Sequence, residues 1–247
     1  MVKQRKWPWF LFLASLVFGT TVLASLNASH QGRQPQNEVD LNQFPIADYS
    51  APLSKDPSER ARREAKSKKY NSKYAPRITD RTDQVFYISD WDVRLPALPV
   101  AKSAAIVIGE VTEAHAFLSQ DQTDIYSEFS IQIEQVLKSE DQSNSASVVI
   151  AERKGGRLRL PSGKIAISRV NHQAMPRIGG RYLFFLTHSF PKGGKTEDFY
   201  LLTGYELRGG DVFPLDRPPV GHPILTYSGV REATLLTDLH VALTQTK

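Results

Sequence analysis

No cysteine occurs anywhere in the 247 residues. That absence removes disulfide staples, thiol nucleophiles, thiolate zinc sites and iron–sulfur ligation in one step. Metal-ligand spacing is scarce too. The six histidines (His30, His115, His172, His188, His222 and His240) form no H-x-H or H-E-x-x-H pattern, so a metal site would have to be assembled in three dimensions. No G-x-S-x-G nucleophile elbow is present. Nor do helical and strand patterns alternate as a parallel sheet requires.

Long apolar runs are equally few, and the N-terminus holds the clearest. Lys3, Arg5 and Lys6 precede an uncharged stretch from Trp7 to Leu26, twenty residues long. As a helix it would rise about 30 Å, enough to span a bilayer core. Residues 1–26 are therefore expected to be a membrane anchor or a signal segment. Val22 and Ala24 offer a small-residue cleavage pattern after Ala24, but the run exceeds an ordinary signal core. Positive charge at the N-terminal flank orients the remainder outward. A cysteine-free exported chain fits a bacterial envelope protein. The expected location is thus the inner membrane, single-pass, with the C-terminal part in the periplasm or outside the cell. The alternative is secretion after cleavage near Ala24.

The formal charge of +5 is unevenly distributed. Residues 1–25 carry +3, 26–53 carry −2, 54–81 carry +6 and 82–247 carry −2. Basicity thus resides outside the part with most apolar sequence, so nucleic acid is not an expected partner. Residues 27–99 are polar and proline-containing, and read as a partly disordered linker. Within it, residues 57–70 are expected to be a basic helix. Asp56 stands at the N-cap, Pro57 at the first turn and Glu59 in a capping box, and Glu59 with Arg63 and Glu64 with Lys68 are spaced four apart. Ala61 and Ala65 are its whole apolar stripe, so it reads as a solvated spacer or an arm for anionic lipid or wall polymer.

From residue 100 to 247 the pattern is β. "AAIVIGEV" (104–111) reads as a buried strand, and "IYSEFSIQIEQVLK" (125–138) alternates apolar and polar residues. "SVVIAE" (147–152) is followed by a hairpin in which Leu158 and Leu160 answer Ile165 and Ile167. "RYLFFL" (181–186) is apolar on both faces, so something must cover the second one. The stretch 230–243 places Leu235, Leu236, Leu239, Ala242 and Leu243 on one helical face and is the expected cover. With "FYLLTGYE" and "DVFPL", about seven strands and one late helix predict an antiparallel barrel or half-barrel. This order of "AAIVIGEV", a long strand ending "EQVLK", a hairpin, "GGRYLFFL" and a helix resembles the OB-like barrel of netrin-like and tissue-inhibitor-of-metalloproteinase-like domains, and exported bacterial proteins of that plan. The resemblance covers about residues 100–245. Those inhibitors reach zinc through an N-terminal cysteine, which this chain lacks, so inhibition does not carry over.

The polar row of 125–138 contains Glu128, Gln132 and Glu134. Glu128 and Glu134 would lie about 20 Å apart along a strand, beyond the roughly 5–10 Å separation of a glycosidase carboxylate pair. The row reads as a wet face, with Ile125, Phe129, Ile131 and Ile133 turned inward. "SFPKGGKT" (189–196) lacks the first glycine of a phosphate loop and precedes a strand, so it reads as a hairpin loop. No residue is singled out as catalytic, cofactor-binding or metal-binding, and no cofactor is expected. Two functions fit. One is a membrane-tethered, non-enzymatic binding or assembly module with an envelope protein or glycan partner. The other is an envelope hydrolase whose site is assembled from Asp121, Asp124, His115 and His188 at one barrel end.

Overall fold

A computed structural model of the chain describes residues 40–51, 54–81, 85–90, 94–140, 147–189 and 198–245. The expected anchor or signal segment, residues 1–26, lies outside the described residues, as does most of the 189–196 loop. Among the described residues no helix is long and apolar enough to cross a membrane. The chain divides into two units, and every described residue belongs to the one from Val39 to Lys247.

That unit is mainly β, with a C-terminal helix. Its strands are β1 (Ile46–Asp48), β2 (Val85–Asp90), β3 (Ala105–Leu118), β4 (Ile125–Ser139), β5 (Val148–Lys154), β6 (Gly156–Arg159), β7 (Ile165–Asn171), β8 (Arg181–His188), β9 (Phe199–Arg208), β10 (Asp211–Pro214) and β11 (Val230–Arg231). One sheet has the order β1-β6-β7-β2, and the other β11-β10-β9-β5-β4-β3-β8. In the larger sheet β8 also pairs with β9, so the pairings β3–β4, β4–β5, β5–β9, β9–β8 and β8–β3 return to their start. Four of these are antiparallel, and β5–β9 is parallel. The expected hairpin forms as β6–β7, but one residue out of the expected register: Leu158 faces Ala166, while Ile165 and Ile167 face Arg159 and Arg157. Gly155, at φ +102°, lets the chain leave β5 in one sheet and start β6 in the other, and a side chain there would meet Met175 and the Ser168 carbonyl.

The β8 strand explains the layering. Tyr182, Phe184 and Leu186 join Phe129, Ile131, Ala151 and Leu201 in one core, and Leu183 and Phe185 join Tyr205, Leu207 and Val212 in a second. The helix Glu232–Gln245 closes that second core through fully buried Leu235 and Leu239, with Leu236, Ala242 and Leu243 packed against it. It covers the face that the two-sided apolarity of β8 demands. Arg181 ties the start of this helix to the sheet, bonding Glu232 at 2.9 Å and Glu134 of β4 at 2.7 Å.

The described part of residues 27–99 also packs. Phe44 lies in the first core, Leu95 in the second, and Ile78 in a third with Leu158 and Leu160. Strand β1 runs parallel to β6, and β2 parallel to β7. Strand counting from sequence missed β1 because three residues show no period, and β2 because its Val-Phe-Tyr-Ile run does not alternate and lies in a stretch read as linker from its composition.

Candidate functional site

The helix Pro57–Lys69 starts at the expected cap but without the expected capping box, because the Asp56 amide donates to the Ser54 hydroxyl at 3.2 Å and not to Glu59. The Asp56 carboxylate accepts from the Ser58 amide at 2.9 Å, Pro57 occupies the first turn, and both expected pairs form: Glu59 with Arg63, and Glu64 with Lys68 at 2.8 Å. Hydrogen bonds from Ser58 hold the Asp56 carboxyl below its ordinary value. Glu59 bonds the side chains of Arg62 and Arg63.

The spacer reading of this helix requires correction. Arg62, Lys66 and Lys69 are spaced i, i+4 and i+7 and share one face, and that face lies on three carboxylates of the sheet. Lys66 has no exposed side-chain surface, and its Nζ stands 2.8 Å from Glu128, 2.6 Å from Asp198 and 3.9 Å from Glu152. Arg62 contacts Asp198 at 3.2 Å and Glu128 at 3.5 Å. Lys69 pairs with Glu152 and donates to the Ser189 carbonyl at 2.8 Å, while the Ser189 hydroxyl also donates to Glu152. Burial works against the Arg62 charge, but Glu128 and Asp198 outweigh it and hold the guanidinium firmly protonated. The helix is docked by three cations on three anions.

The wet-face reading of Glu128 is corrected with it. Glu128 is 6% exposed, whereas Gln132 and Glu134 on the same row are exposed. The cross-strand partner of Glu128 is Glu152. Two anions directly opposite on neighbouring strands repel, and the Lys66 ammonium compensates both. Next to them Tyr70 stacks on Tyr126, with ring centroids 4.4 Å apart and planes within 6°. Burial, then the Glu152 charge, pushes the Tyr70 phenol well up, and burial followed by Glu128 does the same to Tyr126. Arg63 lies over the Phe117 ring at 3.8 Å.

The two residues that follow Glu152 on β5 are charged and engaged as well. Arg153 is bonded by Asp216 at 2.7 Å and donates to the carbonyls of Ala174 and Leu202. Asp216 also accepts from Thr203 at 2.8 Å and from the Ala174 amide at 3.0 Å. Lys154 reaches Asp124 at 3.0 Å. Burial pushes the Asp124 carboxyl up, although Lys154, Ser168 and the Ile125 amide favour its charged form.

Of the four residues weighed for a hydrolase, each has separate partners. Asp121 accepts from Ser119, Thr123 and the Ser72 amide, which tie the β3–β4 loop to the segment following the basic helix. Asp124 is buried with Lys154. His115 is largely exposed, 3.6 Å from Glu113, and His188 stacks on Phe199 with Glu140 3.7 Å away. Among the described residues no group of three or more His, Asp or Glu is placed to hold a metal ion. Sequence reasoning missed Lys66, Glu152 and Asp198. The available signal was the cationic stripe 62-66-69, which an apolar-stripe criterion ignores.

The fold and site thus define a mainly β chain with a basic helix clamped on a carboxylate floor. No protein-family model, curated protein or solved structure matches the chain.

Proposed function

We propose that this chain is a non-enzymatic binding or assembly module, tethered to the bacterial inner membrane by residues 1–26 and displayed in the periplasm or outside the cell. The five strands β3, β4, β5, β9 and β8 form a closed OB-like barrel in this reading, supported by pairings that return to their start. Its partner is an envelope protein or glycan rather than nucleic acid. The observation that carries the non-enzymatic reading is the use made of the buried carboxylates. Glu128, Glu152, Asp198, Asp124 and Asp216 each face a lysine or arginine of the same chain. General acid–base work needs such groups poised in reach of a substrate proton, and here they hold elements together.

In-cell photocrosslinking of the full chain, followed by purification from detergent-solubilised envelope, tests the proposal. A reproducible adduct with one envelope protein or glycan supports it. Hydrolytic turnover of ester, peptide or glycoside substrates that is lost on substitution of His115, Asp121, Asp124 or His188 overturns it. For the location, a C-terminal reporter active outside the cytoplasm is expected, and one active only inside sinks the tether.

A further inference from the structure

We propose, on the reading of the chain as a binding module, that the floor formed by Glu128, Glu152 and Asp198 is a docking site for a cationic helix. The chain's own helix Pro57–Lys69 is its resident occupant, and a partner protein presenting cations at i, i+4 and i+7 along a helix replaces it.

Four observations carry this. The match is specific: Arg62, Lys66 and Lys69 span about 10 Å of helix axis on one face, and each meets at least one floor carboxylate. The contact has no apolar anchor within the helix, because the residue it buries is Lys66 itself. Such an element opens at a free energy below that of the core. The two ends also differ. At the C-terminal end Tyr70 stacks on Tyr126, and the Ser72 amide is held by Thr123 at 2.9 Å and Asp121 at 3.1 Å. At the start, the hydrogen bonds of Ser54, Asp56 and Ser58 are local, and only the side chains of Arg62, on Asp198 and Glu128, and Arg63, over Phe117, reach the sheet among the described residues. The helix can therefore swing from the Tyr70 end while that end stays in place.

The fourth observation is the composition of the floor. Glu128 and Glu152 face each other across β4 and β5, so the bare floor repels itself and requires a cation. A contact meant to be permanent could be apolar at no loss, because replacing a buried ion network by well-packed apolar side chains is often neutral or stabilising. Charge at this place supplies selectivity for a charged occupant and rejects an apolar one.

The test uses a fluorescent synthetic peptide of residues 55–71 and the purified full chain in detergent. The Arg62→Glu, Lys66→Glu, Lys69→Glu triple variant releases the resident helix. It is expected to bind the peptide at least tenfold more tightly than the parent does, and at least tenfold more tightly than it binds a peptide carrying Lys66→Glu. A folded triple variant that does not distinguish the two peptides overturns the proposal. Should that variant fail to fold, hydrogen exchange on the parent decides. Saturating peptide is expected to accelerate exchange within residues 57–69, and unchanged exchange there is contrary to the proposal. Crosslinking to an envelope partner that persists unchanged in Glu128→Gln, Asp198→Asn overturns this docking site and leaves the binding-module reading standing.

Discussion

Lys66 shows how one side chain can decide whether a segment is a spacer or a part of the fold. Its ammonium is wholly buried among Glu128, Asp198 and Glu152, and removing one partner of a buried ion pair costs about 3–5 kcal/mol. Lys66→Met is therefore expected to lower the unfolding free energy by about that amount in urea titration. Lys68→Met, which breaks a half-exposed pair with Glu64, should change it by no more than about 0.5 kcal/mol. Equal, small losses from both would mean that Lys66 holds nothing. Asp124 makes a prediction about pH. Burial raises its carboxyl above the ordinary 3.8, so the folded chain binds this proton more tightly than the unfolded chain does. That contribution is present at low pH and is lost as pH rises above 3.8 through the raised value. Asn cannot ionise. The melting temperature of Asp124→Asn minus that of the parent should therefore increase from below pH 3.8 to neutrality, and a flat or falling difference counts against the assignment.

The two helices divide by how they dock, and the division decides which of them the sequence reveals. The C-terminal helix offers a leucine stripe to the second face of β8, and both the need for a cover and the cover itself are legible as apolar periodicity. Leu239→Asp puts an unpaired carboxylate into that core or detaches the helix, at a cost of several kcal/mol out of about 5–15. Thr237, exposed and bonded back to the Ala233 carbonyl, should tolerate Asp within about 0.5 kcal/mol. Thermal melts that fail to separate the two variants would show the helix undocked. The basic helix has no leucine stripe. Its start, its Glu–Arg and Glu–Lys pairs and its range are readable locally, but its docking partner is not. Glu128 and Glu152 become one site only once β4 and β5 are in register, and Asp198 joins as the residue just before β9. Period-two alternation gives β4, and continuous apolar runs give β3, β8 and the first half of β5; the charged second half of β5, with Glu152, Arg153 and Lys154 all engaged, runs against the rule that charge marks the wet face.

At the scale of the whole molecule, the compact unit begins at Val39, well before the boundary near residue 100 suggested by composition. Polar composition marks a linker when nothing in it is buried, but Phe44 and Ile78 are each 1% exposed and Leu95 is 3% exposed. Each such side chain contributes about 1.5–3 kcal/mol by leaving water. A chain trimmed to residues 100–247 loses all three. It also loses Arg62, Lys66 and Lys69, and with them the compensation of Glu128, Glu152 and Asp198. Those losses together reach the whole stability of an ordinary domain, about 5–15 kcal/mol. The fragment 39–247 should therefore be soluble and melt cooperatively, as followed by circular dichroism. The fragment 100–247 should be insoluble or melt far below it. If both fragments melt at the same temperature, residues 39–99 are a tether after all, and the ion-paired helix adds nothing to the stability of the sheets beneath it.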